Sequence, residues 1–385
     1  MLQTIRPRFF VAVAVVVAVA GMLLPNPRPV RAGEQPLPSG GYKVLDPIRH
    51  GSLTIFPVVA PKSYATGDFL TLDEGLRSGD VVVTEYGSVP GLLRRHGMPA
   101  VQRNGAEVNR LVLVNNSKRP LLLLAGEIVT GGKQDRVIGK DRIVPPESDP
   151  VDLSVFCVEP GRWVATSDRF GTSGKTYGST VEGGPPAGTM MAQPSVRAKA
   201  MGEKDQNQVW AEVRKQQSSI ASELAASAPQ ASTDEIRSTS SYAHVMENKD
   251  VKEKIDEVAK PIEQNYQSLI KQLRDRKAVG VVVAVDGRII WSDVFASTEL
   301  LEKYWPKLVR SYASEAVVSR AKGGEASRGQ AETFLANMDG RKEMIENEPG
   351  IYRHTEVNGD GFKAFALMSL LPKTGFDVHV AKMAD

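Results

Sequence analysis

Cysteine is almost absent: the 385 residues hold one, Cys157. No intrachain disulfide can form, so the fold must rely on its core. The five histidines and the lone cysteine show no paired metal-ligand spacing, and no metal site is expected. Strong net charge is lacking as well, since 48 Lys and Arg stand against 45 Asp and Glu for a formal +3. Four of those arginines, Arg6, Arg8, Arg28 and Arg31, lie in the first 32 residues, which hold no acid; without that segment the charge is −1. No basic footprint remains for nucleic acid or an anionic membrane surface. Beyond the N-terminus no apolar run approaches the ~20 residues of a bilayer-spanning helix.

Arg6 and Arg8 precede an apolar run from Phe9 to Leu24, and three prolines then lead to Val30-Arg31-Ala32, with small residues where a signal peptidase reads. Residues 1–32 have the pattern of a secretory signal peptide cut after Ala32. The run is short for a bilayer span, so the alternative, an uncleaved N-terminal membrane anchor, fits less well. Export to the periplasm or beyond is expected, with no membrane span in the mature chain. Residues 33–43, rich in Pro, Gly and Ser, read as a tether.

The remainder, 44–385, reads as one domain: a β-rich part (44–165), a Gly/Pro/Ser-rich insertion (166–204), a helical and hairpin part (205–320) and a C-terminal helix with strands (321–385). Leu53, Ile55 and Val59 share one face of a strand, and Pro57, which lacks a ladder donor, sets that strand at an edge or ends it. Leu111-Val-Leu-Val and Leu121-Leu-Leu-Leu are apolar on both faces and belong in mid-fold. The turn formers between them, Asn116-Ser-Lys-Arg-Pro, predict a hairpin. Gly174-Lys-Thr176 imitates the end of a phosphate loop, but Arg169 stands where its first glycine belongs.

Helical spacing follows in Trp210, Val213, Ile220 and Leu224, then a polar separator (225–241). A stronger stripe runs through Val251, Ile255, Val258, Ile262, Tyr266, Leu269 and Leu273, interrupted by Pro261. Asp286-Gly287 between Ala278–Val285 and Arg288–Phe295 predicts a type I′ hairpin. Ser297 caps a helix whose apolar face carries Leu300, Leu301, Tyr304, Trp305, Leu308, Val309, Tyr312 and Ala313, with Pro306 as a bend. A short helix near Ala331–Asn337 and two final strands, Phe362–Leu370 and Phe376–Met383, complete the chain. Strands and helices do not alternate regularly, which argues against a doubly wound parallel sheet. The expected class is α+β, a mainly antiparallel β core with C-terminal helix-hairpin-helix elements.

Polar chemistry meets this core most closely at Leu121 to Arg136, LLLLAGEIVTGGKQDR. An apolar strand ends on Glu127, and Gly131 and Gly132, which carry no Cβ, let backbone approach a ligand beside Lys133, Gln134 and Arg136. The run GEIVTGGKQDR, with Val155-Phe-Cys-Val-Glu-Pro-Gly-Arg-Trp163 and Gln208-Val-Trp210, resembles the ARG and rhodanese-phosphatase-superfamily-associated protein domain, from about Leu45 to the C-terminus. The resemblance implies a possible enzymatic domain without an established substrate. It points to Glu127, Gly132, Gln134, Arg136, Cys157, Glu159 and Trp163, and more weakly to Trp210 and His379.

Two readings stay open. In the enzymatic one, a hydrolase or transferase uses Glu127 as acid or base, because a desolvated carboxylate has a raised pKa unless a cation such as Lys133, Arg136 or Arg142 compensates. Cys157 or a water is then the nucleophile, while Gly131, Gly132, Lys133, Gln134, Arg136, Glu159 and Trp163 hold a small molecule. The bland counterparts are a structural ion pair at Glu127 and a buried, inert Cys157. Of the five histidines, only His379 alternates with apolar neighbours on a strand. In the second reading the chain is a non-catalytic ligand-binding or scaffold module of the cell envelope, with apolar helix faces such as the Trp305 stripe as contact surfaces. Neither reading calls for a cofactor.

Overall fold

The computed structural model describes residues 41–85, 109–162, 167, 169–171, 190–272, 277–319, 324–345 and 348–385, all within a unit spanning 37–385. The leader, the tether up to residue 40, Trp163 and the Gly174-Lys-Thr176 mimic lie outside the described residues. The strands form three sheets. The largest has nine strands, in the order Lys43–Val44, Leu53–Ala60, Lys277–Val285, Arg288–Phe295, Asp377–Ala384, Phe362–Ser369, Tyr352–Gly359 and Gly340–Ile345, with Ile48–His50 also paired to Leu53–Ala60. A seven-stranded sheet runs Phe170–Gly171, Glu127–Gly131, Arg136–Ile138, Val151–Cys157, Arg110–Asn115 and Val81–Glu85, with Met190–Met191 on Glu127–Gly131. Arg142–Val144, Leu121–Leu123 and Leu70–Thr71 make the third, and its Leu70–Leu121 pairing is the parallel one. The protein is α+β with a β-rich, antiparallel core.

The Asp286-Gly287 hairpin forms as expected, with both residues at positive φ. Ser297 caps the Thr298–Val318 helix by accepting from the Leu300 amide, and Asp205 does the same for Gln206–Leu224 from the Gln208 amide. The structure departs from expectation at four places. Leu53–Ala60 is an interior strand, because Pro57 directs its carbonyl to Leu45 N and its missing N–H falls at the break between the two short partners on that side. The Leu111 and Leu121 runs do not form a hairpin; they enter different sheets. Buried Asn115 turns the chain between them by donating to the carbonyls of Arg119 and Pro145. The polar separator before residue 242 contains a helix, Gln230–Ser238, whose buried face is only Thr233 and Ile236. The stretch read as an insertion returns to buried regular structure from Met190 onward, with a helix at Pro194–Ala198 and a π turn at Lys199–Glu203.

The doubly apolar runs are explained by two cores. Leu122, Leu124, Ile128, Val137 and Phe156 face the main core, shared with the long helices Lys249–Gln272 and Thr298–Val318 and the large sheet. Leu121, Leu123, Val129, Ile138 and Val155 face a second core closed by the helix Leu72–Ser78. Side chains alternate across each strand, so a layer between two cores is apolar at every position. The other face of the large sheet is covered by the helix Arg328–Ala336 through Ala331 and Leu335. The whole Trp305 stripe is consumed internally, with Leu300, Tyr304, Leu308 and Tyr312 fully buried and Trp305 at 4% exposure. That removes the contact surface on which the scaffold reading leaned. Among the described residues no helix is long and apolar enough to cross a membrane.

One buried polar network joins these layers. Arg197 donates two bonds to Asp293, at 2.9 and 3.0 Å, and stacks 4.3 Å over the ring of Trp291. His379 lies between two carboxylates, 3.1 Å from Asp293 through Nε2 and 2.6 Å from Asp141 through Nδ1. Tyr312 donates to Asp293, and Ala125 N donates to Asp141 at 2.7 Å. Burial alone would lower the His379 pKa, but Asp141 and Asp293 outweigh it and push it up to about 9. Asp293 is held well below the usual carboxylate range, Arg197 and His379 overcoming its burial.

Arg197 reaches Asp293 past Gly126. A Cβ at Gly126 would stand 2.6 to 2.8 Å from three atoms of the Arg197 side chain, at a φ of +97°. Gly375 has nearly the same φ, +102°, but open space around its Cα. Gly126→Ala is therefore expected to cost at least about 2 kcal/mol more than Gly375→Ala in urea unfolding, the excess coming from the displaced Arg197. Equal costs would mean that Arg197 does not depend on the gap.

Candidate functional site

The structure separates the two residues proposed from sequence to carry chemistry. Cys157 pairs with Arg136, and Arg136 with Val129, two residues from Glu127. Two strand spacings and two residues place the Glu127 and Cys157 Cα atoms roughly 12 Å apart. Each belongs to a different polar cluster.

Glu127 is fully buried. Its Oε2 accepts from Leu124 N at 2.7 Å, and its Oε1 is 2.5 Å from Lys307 Nζ, which also bonds Asp73 at 2.8 Å. Lys307 thus supplies the compensating cation, in place of the sequence neighbours Lys133, Arg136 or Arg142. Burial raises the Glu127 carboxyl even against the pull of Lys307. Burial would lower Lys307, but Glu127 and Asp73 outweigh it. The triad ties the helices Leu72–Ser78 and Thr298–Val318 to the strand layer. A pair this deep holds its geometry because removing one partner leaves the other charge uncompensated.

Cys157 also has zero exposure, and burial pushes its thiol up, against the nearby Arg136. Its backbone is clamped on both sides by Gln206, which donates to Cys157 O and accepts from Cys157 N, each at 2.9 Å. Arg136 is fully buried too; burial lowers its pKa, and Cys157, Glu85 and Asp135 oppose the shift. Trp210 is half-buried on the next helix.

The turn at 131–136 closes on itself. Gly131 N donates to Asp135 Oδ1 at 3.1 Å, Gly132 N to Ser167 Oγ at 3.1 Å and Lys133 N to Glu85 Oε1 at 2.7 Å. The three amides are therefore taken by side chains. Gln134 donates to Glu159 O at 3.1 Å, and Asp135 N to Glu159 Oε2 at 3.0 Å. Two carboxylates that sequence reasoning did not pair thus meet here, Asp135 and Glu159, at 7% and 8% exposure. Arg162 bridges them, 2.5 Å from Glu159 Oε2 and 3.4 Å from Asp135 Oδ1, and caps Gly132 O at 2.9 Å. Ser241 Oγ, on the helix start 106 residues away, donates to Asp135 Oδ2 at 2.9 Å.

Burial, and next the Glu159 charge, push the Asp135 carboxyl up to about 6, against Gly131, Ser241 and Arg162. A carboxyl that titrates near neutrality can take up or release a proton under working conditions. Asp135 was visible inside the GGKQDR run, but nothing in its spacing marked it; its partner Arg162 stood in the quoted EPGRW run. Asp141, Asp293, Arg197 and Lys307 were missed, although an aspartate inside Ile289-Ile-Trp-Ser-Asp-Val-Phe is itself a signal, since an acid in a buried strand must be paired. Among the described residues no group of three His, Cys, Asp or Glu could hold a metal ion.

These features define an α+β protein whose middle strand layer ends in a carboxylate-bearing loop. Residues 41–383, nearly the whole chain, match the ARG and Rhodanese-Phosphatase-superfamily-associated Protein domain, and the chain belongs to that family. No curated protein and no solved structure matches it.

Because Asp135 protonates at higher pH when folded than when unfolded, the folded state binds the extra proton between about pH 4 and 6. Its stabilisation is present below that window and is lost as pH rises through about 6. Asp135→Asn keeps the acceptor for Gly131 N and is expected to raise stability at pH 7.5 by about 1–2 kcal/mol and to flatten the decline between pH 4 and 6. A loss of stability at pH 7.5 would show that the charged form is favoured.

Proposed function

We propose that the chain is an exported enzyme of the cell envelope, a hydrolase or transferase, whose proton-transfer group is Asp135, tuned by Glu159 and Arg162 on the GEIVTGGKQDR loop. The observation that carries this reading is the pair of nearly buried carboxylates sharing one arginine, an arrangement in which burial and the Glu159 charge push Asp135 up to about 6. A neutral-range carboxyl is costly to keep and suits general acid–base catalysis. Glu127 and Cys157 then serve as supports: the first fixes the strand that leads into the loop, and the second fills the layer behind Arg136. Export rests on the Arg6/Arg8-headed apolar run and the Val30-Arg31-Ala32 site.

The test uses the native chain recovered from the envelope fraction, expected to begin at Gly33, against chromogenic esters, phosphoesters and amides. One class should turn over with a pH–rate limb near 6, Asp135→Asn should lower kcat at least about 100-fold, and Glu159→Gln should move the limb to lower pH. Turnover that survives Asp135→Asn, or no turnover in any class, would contradict the enzymatic reading.

A further inference from the structure

A recess of about 280 Å³ opens between the Lys249–Gln272 and Thr298–Val318 helices, at the start of the Lys277–Val285 strand, far in sequence from the loop described above. Its apolar wall includes Leu301, Ala278 and the stacked rings of Tyr266 and Trp305, 4.3 Å apart. Three polar atoms of its lining residues are buried with no hydrogen-bond partner: Tyr266 Oη, Trp305 Nε1 and Thr298 Oγ1. Tyr266 and Trp305 are only 5% and 4% exposed. Buried donors are ordinarily paired, and each orphan is destabilising until a partner arrives. Pro306, also in the lining, lies inside the Thr298–Val318 helix and has no N–H to donate to the Glu302 carbonyl one turn earlier.

We infer that this recess is a binding site for a small, uncharged planar amide. An indole N–H only donates, so the occupant must carry an acceptor. The two hydroxyls, Tyr266 Oη and Thr298 Oγ1, can accept a donor, which an amide N–H supplies. The ring pair and Leu301 fit a flat apolar body, and the volume exceeds the roughly 150 Å³ cavity that holds one benzene ring. Glu263 and Glu302 against Lys271 in the lining disfavour an anion. The site is independent of the Asp135 loop and does not rest on its assignment.

Benzamide, benzoate and ethylbenzene, which share a ring and differ in polarity, are the probes for titration of the full ¹⁵N-labelled chain. Benzamide is expected to shift the Trp305 indole N–H saturably, with benzoate and ethylbenzene each at least about fivefold weaker. Trp305→Phe, followed through the Leu301 methyl signals, should weaken benzamide by a similar factor. Tyr266→Phe, which keeps the ring stack, should weaken it too and stands in if Trp305→Phe does not fold. An indole signal unmoved at about 10 mM benzamide, the weak end of fragment affinities, would overturn the assignment. So would equal binding of ethylbenzene, or benzamide affinity untouched by the variants.

Discussion

Asp293 is the point on which the layers depend. It lies in the middle of a buried strand, where an unpaired carboxylate would be prohibitively costly, and it is stable there because Arg197, His379 and Tyr312 arrive from three other elements. With Asp141 on the far side of His379, two acids face two bases and the buried network is neutral as a whole. Its members come from the strand layer, the large sheet, the Pro194–Ala198 helix and the Thr298–Val318 helix. Apolar burial would hold these parts together in many relative positions, whereas bidentate and two-sided hydrogen bonds accept only one.

That fixed arrangement positions the loop. The Leu121 run is apolar on both faces because it lies between two cores, and its exit turn is pinned twice, by Glu127 on Leu124 N and by Asp141 on Ala125 N. The following strands carry the turn at 131–136 to the edge of the middle layer, where Arg162 and Ser241 meet it. At the turn Asp135 and Glu159 share Arg162, much as Glu127 and Asp73 share Lys307 one strand earlier. Acid pairs of this kind cost stability in the resting protein, and their retention has a physical rationale when a proton must move.

Much of the fold was legible in the sequence, since it depends on local periodicity and turn chemistry. The Asp286-Gly287 hairpin, the Ser297 cap and the double-sided leucine strand follow from neighbouring residues alone. The pairing of strands distant in sequence does not. Asn116 to Pro120 has hairpin composition, yet Asn115 binds carbonyls 4 and 30 residues away and sends the chain into another sheet. The site follows the same division. Glu127 and the glycine loop stood out by composition, but the cation on Glu127 lies 180 residues away and the hydroxyl on Asp135 lies 106 away. No spacing rule reaches those distances. Only the buried acid in the strand around Trp291 announced, by its cost, that distant partners must exist.

Whether Asp135 is the titrating group of the loop is measured directly by a site-specific carboxyl ¹³C titration of the folded chain. The expected midpoint is near 6 and falls toward the ordinary aspartate range when Glu159→Gln removes the neighbouring charge. A midpoint at or below about 4, unmoved by that substitution, would make Asp135 an ordinary structural carboxylate and contradict its proton-transfer role.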